Sequence, residues 1–274
     1  MSITPPTDPR ACFTHRVDDY RRFRPGYPDA LVERLRSITA LRDGAVIADV
    51  GSGTGISAEL FLRHGYTVAA VEPNGPMRGA AEEALAARFG PRFRSVPGCA
   101  ESTGLGDASV DMVIAAQAFH WFDPETFAAE CRRILRPAGW VVLIWNDRWL
   151  DSTPFLIAYE ALLQRFGTDY AAVAHRNIGP DQIAAFFNAL PSATAPIAFT
   201  LDNAQRLDVD GLRGRTRSSS YVPAPNDPRH APMMEELDQL FATFATDGHV
   251  EIDYDVTVSV GSCASPFSQQ GPRP

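Results

Sequence analysis

Lysine is absent from this chain: all 25 basic residues are arginine. The 33 acidic residues outnumber them, for a formal net charge of −8. A general nucleic-acid binder shows the opposite balance, so no nucleic-acid partner is expected. Cysteine is scarce. Cys12, Cys99, Cys131 and Cys263 are scattered and form no C-x-x-C pair, so neither a zinc site nor a disulfide framework is indicated. Reduced thiols fit a cytoplasmic location. No apolar run is long enough to span a bilayer, so no membrane partner is expected. Met1 to Arg10 is polar and proline-rich, without the apolar core of a signal peptide, which argues against secretion. No constellation of metal ligands is visible, and no internal repeat. The serines at 218–220 lack the glycine frame of a nucleophile elbow, which argues against a hydrolase. Abundant Ala, Arg, Gly and Pro point to a bacterial genome rich in G and C, an inference about codons rather than chemistry.

What is present is enough apolar material for one sizeable core, or for a core with an appended cap: 274 residues, 45% hydrophobic. The chain is organised around Val46-Ile47-Ala48-Asp49-Val50-Gly51-Ser52-Gly53-Thr54-Gly55. Its apolar run has the character of a parallel strand covered on both faces. The glycines permit a tight turn and leave the backbone bare where a ligand approaches. Ile56 to His64 reads as a helix, with Ile56, Leu60 and His64 at i,i+4 spacing. Strand, glycine turn and helix N-terminus together make a nucleotide-type site built mostly of backbone. A second strand, Thr67–Val71, ends at Glu72, close to the ~20 residues after the turn at which a carboxylate meets ribose hydroxyls. The dinucleotide fingerprint wants G-x-G-x-x-G, whereas Gly51, Gly53 and Gly55 give G-x-G-x-G. On spacing alone a turn for NAD or FAD, or a glycine loop without a ligand, stays open.

Asp49 to Gly55 followed by Glu72-Pro73 resembles the cofactor half of class I S-adenosylmethionine-dependent methyltransferases. Three further stretches extend the resemblance, toward a subgroup related to the trans-aconitate methyltransferases. Tyr20-Arg21-Arg22-Phe23-Arg24-Pro25-Gly26-Tyr27-Pro28 is similar to its Y-x-x-x-R-P-x-Y-P entry segment. Cys99-Ala100-Glu101 with Ser109-Val110-Asp111 is similar to its second fingerprint, and Gln117-Ala118-Phe119-His120-Trp121-Phe122 to its Q-A-h-H-W-h stretch. The resemblance implies S-adenosyl-L-methionine as cofactor, with Asp49, Gly51, Ser52, Gly53 and Gly55 at its methionine part and Glu72 and Pro73 at its ribose. It places Met77 by the adenine or ribose, Ala100 and Glu101 by the adenine, and Tyr20 and Arg24 near the methionine end, where a guanidinium meets a carboxylate; Gln117 and Ala118 are further cofactor-binding candidates. Taken as residues alone, Met77 reads equally as core, and the arginines of the entry segment equally as a solvated cap. Asp111 reads as a structural carboxylate.

The alternation of strand and helix over 45–148 predicts an α/β, doubly wound, Rossmann-like sheet. Its further elements are helices over 29–39, 77–89 and 127–135, strands over 93–96 and 140–145, and between these a fourth strand that Leu105 to Ala115 enters, with Asp111 at its start. The resemblance makes the sheet seven-stranded and mostly parallel, completed by late strands near Phe199 and at Val250–Val260, with an inserted or appended helical lid. The expected organisation is a disordered tail at 1–12, a cofactor core with an N-terminal cap at 13–150, a helical lid and substrate region at 151–248, an edge strand at 249–262 and a frayed tail at 263–274. Helices are expected over 154–166, 180–190 and 233–244. Leu207 to Pro223 is similar to the subgroup's lid segment. Its arginines are either a patch for an acidic substrate or a solvated helix face, and charge clusters are usually the latter.

Residues just past the carboxyl ends of parallel strands line the ligand crevice, which makes His120 and Trp121 candidates for the substrate side, against a packed aromatic corner as the alternative. Methyl transfer from a sulfonium needs alignment and desolvation, and a base only for a protonated acceptor. His120 is the candidate base. Trp121, Trp145, Arg217, Ser220 and Tyr221 are the further substrate candidates. The expected activity is methyl transfer to an oxygen or nitrogen of a small-molecule metabolite or natural product. The alternatives are a non-methylating use of the same cofactor (cyclisation or decarboxylation), a module that binds cofactor without chemistry, and a nicotinamide oxidoreductase.

Overall fold

The structure is a computed structural model that describes residues 16–168, 170, 178–191 and 195–263. The tails expected at 1–12 and 263–274 lie outside the described residues, apart from Cys263, which ends a strand. No helix among the described residues is long and apolar enough to cross a membrane.

The first described helix, α1 (Val17–Phe23), carries Asp18 and Asp19 in its first turn and Arg21 and Arg22 in its last, charges placed to suit the helix dipole. Then come α2 (Ala30–Thr39), β1 (Val46–Val50), α3 (Ile56–Arg63), β2 (Thr67–Val71), α4 (Gly75–Phe89), β3 (Phe93–Val96), β4 (Val110–Ala116), α5 (Pro124–Ile134) and β5 (Leu135–Arg148). After these follow α6 (Pro154–Phe166), α7 (Pro180–Ala189), β6 (Ile197–Leu207), α8 (Val209–Arg217), α9 (His230–Phe244) and β7 (Val250–Cys263). The strands form one seven-stranded sheet in the order β3-β2-β1-β4-β5-β7-β6, and the pairs from β3 through β5 are parallel.

The chain divides into two compact units. One, the sheet unit, holds Gly26–Trp145, Ile178–Leu201 and the chain from Val256; the second holds the chain up to Pro25, Asn146–Asn177 and Asp202–Asp255. In the sheet unit successive strand residues alternate between two cores. Ile47, Val68, Ala70, Met112, Ile114, Val142 and Ile144 pack with Leu31 and Leu35 of α2, Phe61 of α3 and Leu85 of α4. Ala48, Val50, Ala69, Val71, Val113, Ala115, Val141 and Leu143 pack with Phe127 and Cys131 of α5 and Phe186 of α7. This period-2 alternation into two apolar layers is why the strands read as continuous apolar runs. Asp111 ties the strand starts together: it accepts from Val46 N at 2.8 Å and from Arg136 Nη1 at 2.6 Å. Burial works against its charge, but those donors outweigh it and hold its pKa below the ordinary value.

The second unit has its own core, of Phe155, Tyr159 and Leu163 from α6, Leu212 from α8, Met233 and Leu237 from α9, and Ile252 and Tyr254. Its α8 begins at Asp208, whose side chain accepts from Gly211 N at 2.7 Å.

Helix α1 is not among the elements expected from the sequence, and two strands differ from their expected bounds. Strand β5 starts at Leu135 rather than at the expected 140, with a β4–β5 register shift between Val110 and Met112 and a φ of +61° at Ala138. Strand β6 continues to Leu207 with every second residue exposed, a pattern too polar to be marked by hydropathy.

Candidate functional site

The turn after β1 is glycine for two separable reasons. Gly51, Gly53 and Gly55 take φ of +71°, +56° and +85°, a region that costs other residues energy. In addition, a Cβ on Gly51 would stand 2.6 Å from Ala118 Cβ, and one on Gly55 2.6 Å from Leu85 Cδ1. Gly51 N and Ser52 N both donate to Val71 O, at 2.9 and 3.1 Å, which pins the turn to the end of β2. Gly55 is the N-cap of α3 and gives its first-turn amides no side-chain acceptor.

Two buried carboxylates flank this turn. Glu72 accepts from Gly53 N at 2.9 Å through Oε2 and from Asn74 N at 2.8 Å through Oε1. Burial nevertheless raises its pKa. Each oxygen keeps a second acceptor position for a ligand hydroxyl. Asp49, fully buried, accepts from the Ser57 hydroxyl at 2.6 Å through Oδ2. Burial pushes it up to about 7; Ser57 works against that shift and the neighbouring charge of Glu72 adds to it. Asp49 Oδ1, Ser52 Oγ and Thr54 Oγ1 are all buried without a hydrogen-bond partner. Orphaned buried polar atoms are rare in a folded protein. Three within six residues, around a bare glycine turn, fit a polar ligand with donors and acceptors of its own.

The other sequence candidates of the sheet unit take varied positions. Asn74 caps α4 by accepting from Met77 N at 3.0 Å; Met77 is buried and Pro73 exposed. Ala100 lies in the second core, and Glu101 Oε1 accepts from Asp123 N, the N-cap of α5, at 3.1 Å. Gln117, at the end of β4, has a φ of +54°, and its N–H donates to Ile144 O at 2.8 Å. Such a conformation on a non-glycine residue is a strained feature typical of ligand sites. Ala118 is the residue that fills the space beside Gly51. The His120 and Trp121 rings lie 4.9 Å apart. Trp145 is in the core, edge-on to Phe119.

A cavity of about 500 Å³ opens beside this loop, lined by Phe119, His120, Phe122, Ile178 and Phe186, with Asp123 and Glu125 as its charged groups. Phe122 also faces the glycine turn: its ring stands 3.1 Å from where a Gly51 Cβ would be. One ring therefore borders both the turn and the cavity.

Tyr20, Arg24, Arg217, Ser220 and Tyr221 belong to the second unit. Arg24 lies over the Tyr20 ring at 4.9 Å and donates to Ser218 O at 2.9 Å. Arg217 makes two hydrogen bonds to Asp19, at 2.8 and 3.0 Å, so its charge is matched inside the protein. Ser220 and Tyr221 are half-buried, and the Tyr221 ring packs edge-on against Tyr170. The sequence reading chose Arg217 and passed over Arg215, which is the buried arginine of α8. The available signal was helical spacing: Leu212, Arg215, Thr216 and Ser219 fall on one buried face. Thr54 and Ser57 were missed as well, although hydroxyls in a glycine turn suggest polar atoms placed for a ligand.

The β3-β2-β1-β4-β5-β7-β6 sheet with flanking helices is the Rossmann-like methyltransferase fold, with the glycine turn and its partner carboxylate at the end of β1. Residues 48–143 match the family model for the methyltransferase domain. An uncharacterized methyltransferase of Mycobacterium tuberculosis is 38% identical over 136 residues, which is 50% of this chain and 52% of that protein. A methyltransferase-like protein of Schizosaccharomyces pombe is 31% identical over 158 residues, 57% of this chain and 59% of its own. The chain thus spans about half the length of the curated relatives it matches. A solved structure from Anaeromyxobacter dehalogenans, described as a type II methyltransferase, aligns at 25% identity and a TM-score of 0.56, covering 87% of this chain and 97% of its own. The fold is also shared with a Haemonchus contortus phosphoethanolamine N-methyltransferase solved with S-adenosyl-L-methionine, at 14% identity and a TM-score of 0.53, over 92% of this chain and 57% of that one.

Proposed function

We propose that this protein transfers a methyl group from S-adenosylmethionine to an oxygen or nitrogen of a small molecule. The observation that carries the reading is the turn: three left-handed glycines, the Glu72 carboxylate bonded to Gly53 N, and the orphaned Asp49, Ser52 and Thr54 oxygens beside them. S-adenosylmethionine, when bound, supplies a methyl group already activated on a positive sulfur. Glu72 would hold the ribose hydroxyls, for which its two free acceptor positions suit. Asp49 offers a negative charge to a cationic cofactor, and the amides at the start of α3 suit polar groups that accept hydrogen bonds. The cavity beside Phe122 and His120 supports an acceptor that is small and largely apolar. There the protein's task is to align the acceptor and exclude water. His120 lines that cavity, which supports it as the base for a phenol or ammonium acceptor. The free thiols of Cys99, Cys131 and Cys263 suit a reducing cytoplasm.

The test is incubation of the chain with methyl-labelled S-adenosylmethionine and a panel of small phenols, amines and carboxylic acids, read as labelled product and S-adenosylhomocysteine. His120→Ala should lower turnover by roughly 10²-fold or more with cofactor affinity unchanged. Turnover equal to wild type removes His120 from the role of base, and no labelled product with any acceptor class removes the reading.

A further inference from the structure

Six arginines of the second unit differ in what they meet. Arg148, Arg165, Arg213 and Arg217 each meet a carboxylate, of Glu160, Glu236, Asp238 and Asp19 respectively. Arg24 and Arg215 meet none among the described residues. Arg215 is only 5% exposed. Its Nε donates to Tyr254 Oη and its Nη1 to Ser219 Oγ, both at 3.1 Å, and both acceptors are neutral. Arg24 donates through Nη2 to Ser218 O, while its Nε is buried without an acceptor.

The two guanidinium groups feel each other. Burial lowers the pKa of Arg24, and the charge of Arg215 is the next cause. Both charges act on Tyr221: burial raises its phenol, but Arg215 and then Arg24 outweigh burial and bring it below the ordinary value. Tyr254 lies in reach of both cations as well. Neither ring is a carboxylate; a phenol oxygen orients a guanidinium as a hydrogen-bond acceptor, as Tyr254 does for Arg215.

An ion taken out of water without a partner costs several kcal/mol, and two like charges side by side cost more. The fold does not lack carboxylates, since four neighbouring arginines have them. A structural tie between α8, Tyr254 and Ser219 would be served by a neutral side chain. We propose that the second unit holds a binding site for the oxyanion group of a small molecule, a carboxylate or a phosphate, with Arg215 and Arg24 as its two cations and the Tyr221 and Ser219 hydroxyls beside them. A planar guanidinium with free N–H groups suits either oxyanion. Arg217, with its charge already matched by Asp19, takes no part. The site does not depend on methyl transfer and is read without cofactor.

The experiment is calorimetric titration and thermal melting of the full chain with succinate, glutarate and inorganic phosphate, against glutaramide and against sodium chloride at equal ionic strength. Wild type should bind at least one oxyanion and melt higher in its presence, with no response to glutaramide; which arm binds tells carboxylate from phosphate. Arg215→Met should melt no lower than wild type without ligand, since it removes an unmatched charge, and should bind the oxyanion at least tenfold more weakly. Arg24→Met carries the same expectation if Arg215→Met does not fold. Three results overturn the proposal. The first is no oxyanion response beyond that of chloride. The second is an Arg→Met variant that folds and binds the oxyanion as wild type does. The third is loss of S-adenosylhomocysteine affinity in Arg215→Met or in Arg24→Met, which would assign the cations to the cofactor's own carboxylate.

Discussion

Asp49 is a carboxylate held where water cannot reach it, with one oxygen satisfied by Ser57 and the other without a partner among the described residues. Its pKa near 7 has a consequence for stability. From about pH 4, where the unfolded carboxyl ionises, to about pH 7, the folded state keeps a proton that the unfolded state has lost. Stability therefore falls as pH rises through that window, by on the order of 2–4 kcal/mol at ~1.4 kcal/mol per unit. Asp49→Asn should match wild type near pH 4 and exceed it in denaturant melts at pH 8; a difference independent of pH contradicts the assignment. At Gly51, alanine would combine a left-handed φ with a 2.6 Å approach to Ala118 Cβ. Gly51→Ala should cost roughly 2–4 kcal/mol of stability and weaken cofactor binding at least tenfold. A variant that melts and titrates like wild type would mean that the turn has room to move.

At the scale of elements, α1 and α8 meet where Gly214 faces Phe23, with a virtual Cβ 2.0 Å from that ring. Gly→Ala in a helix normally gains about 1 kcal/mol. Here the clash should win, for a net loss of about 1–3 kcal/mol in chemical denaturation; a gain would mean that Phe23 swings aside freely. Strands β2 and β3 and helix α6 were legible to the residue, because each is an apolar or amphipathic run closed by glycine or proline. Helix α1 was not: its arginines and aromatics leave no buried residue and no apolar period. The start of β5 was hidden by Arg136-Pro137-Ala138-Gly139, which reads as a turn and in the structure spans an irregular register. Buried Arg215 was indistinguishable by type from its paired neighbours Arg213 and Arg217; only the burial of one face of α8 separates them.

For the whole molecule, the doubly wound order was readable because both faces of the central strands are apolar and the glycine turn marks the start of the series. The division into two units follows the strands more than polar linkers: three of its five boundaries fall within β5, β6 and β7. The candidate site was legible where backbone geometry dictates residue type, at Gly51, Gly53, Gly55 and Glu72. It was illegible where burial of a common polar residue matters, at Thr54, Ser57 and Arg215. The central claim is that the turn after β1 and the Glu72 carboxylate seat S-adenosylmethionine. Calorimetric titration of the chain with S-adenosylhomocysteine and with NAD tests it most directly, on wild type and on Glu72→Ala. The account predicts binding of S-adenosylhomocysteine alone, weakened by about 1–3 kcal/mol in the variant through lost hydrogen bonds. Equal affinity in the two proteins, or heat only with NAD, would contradict it.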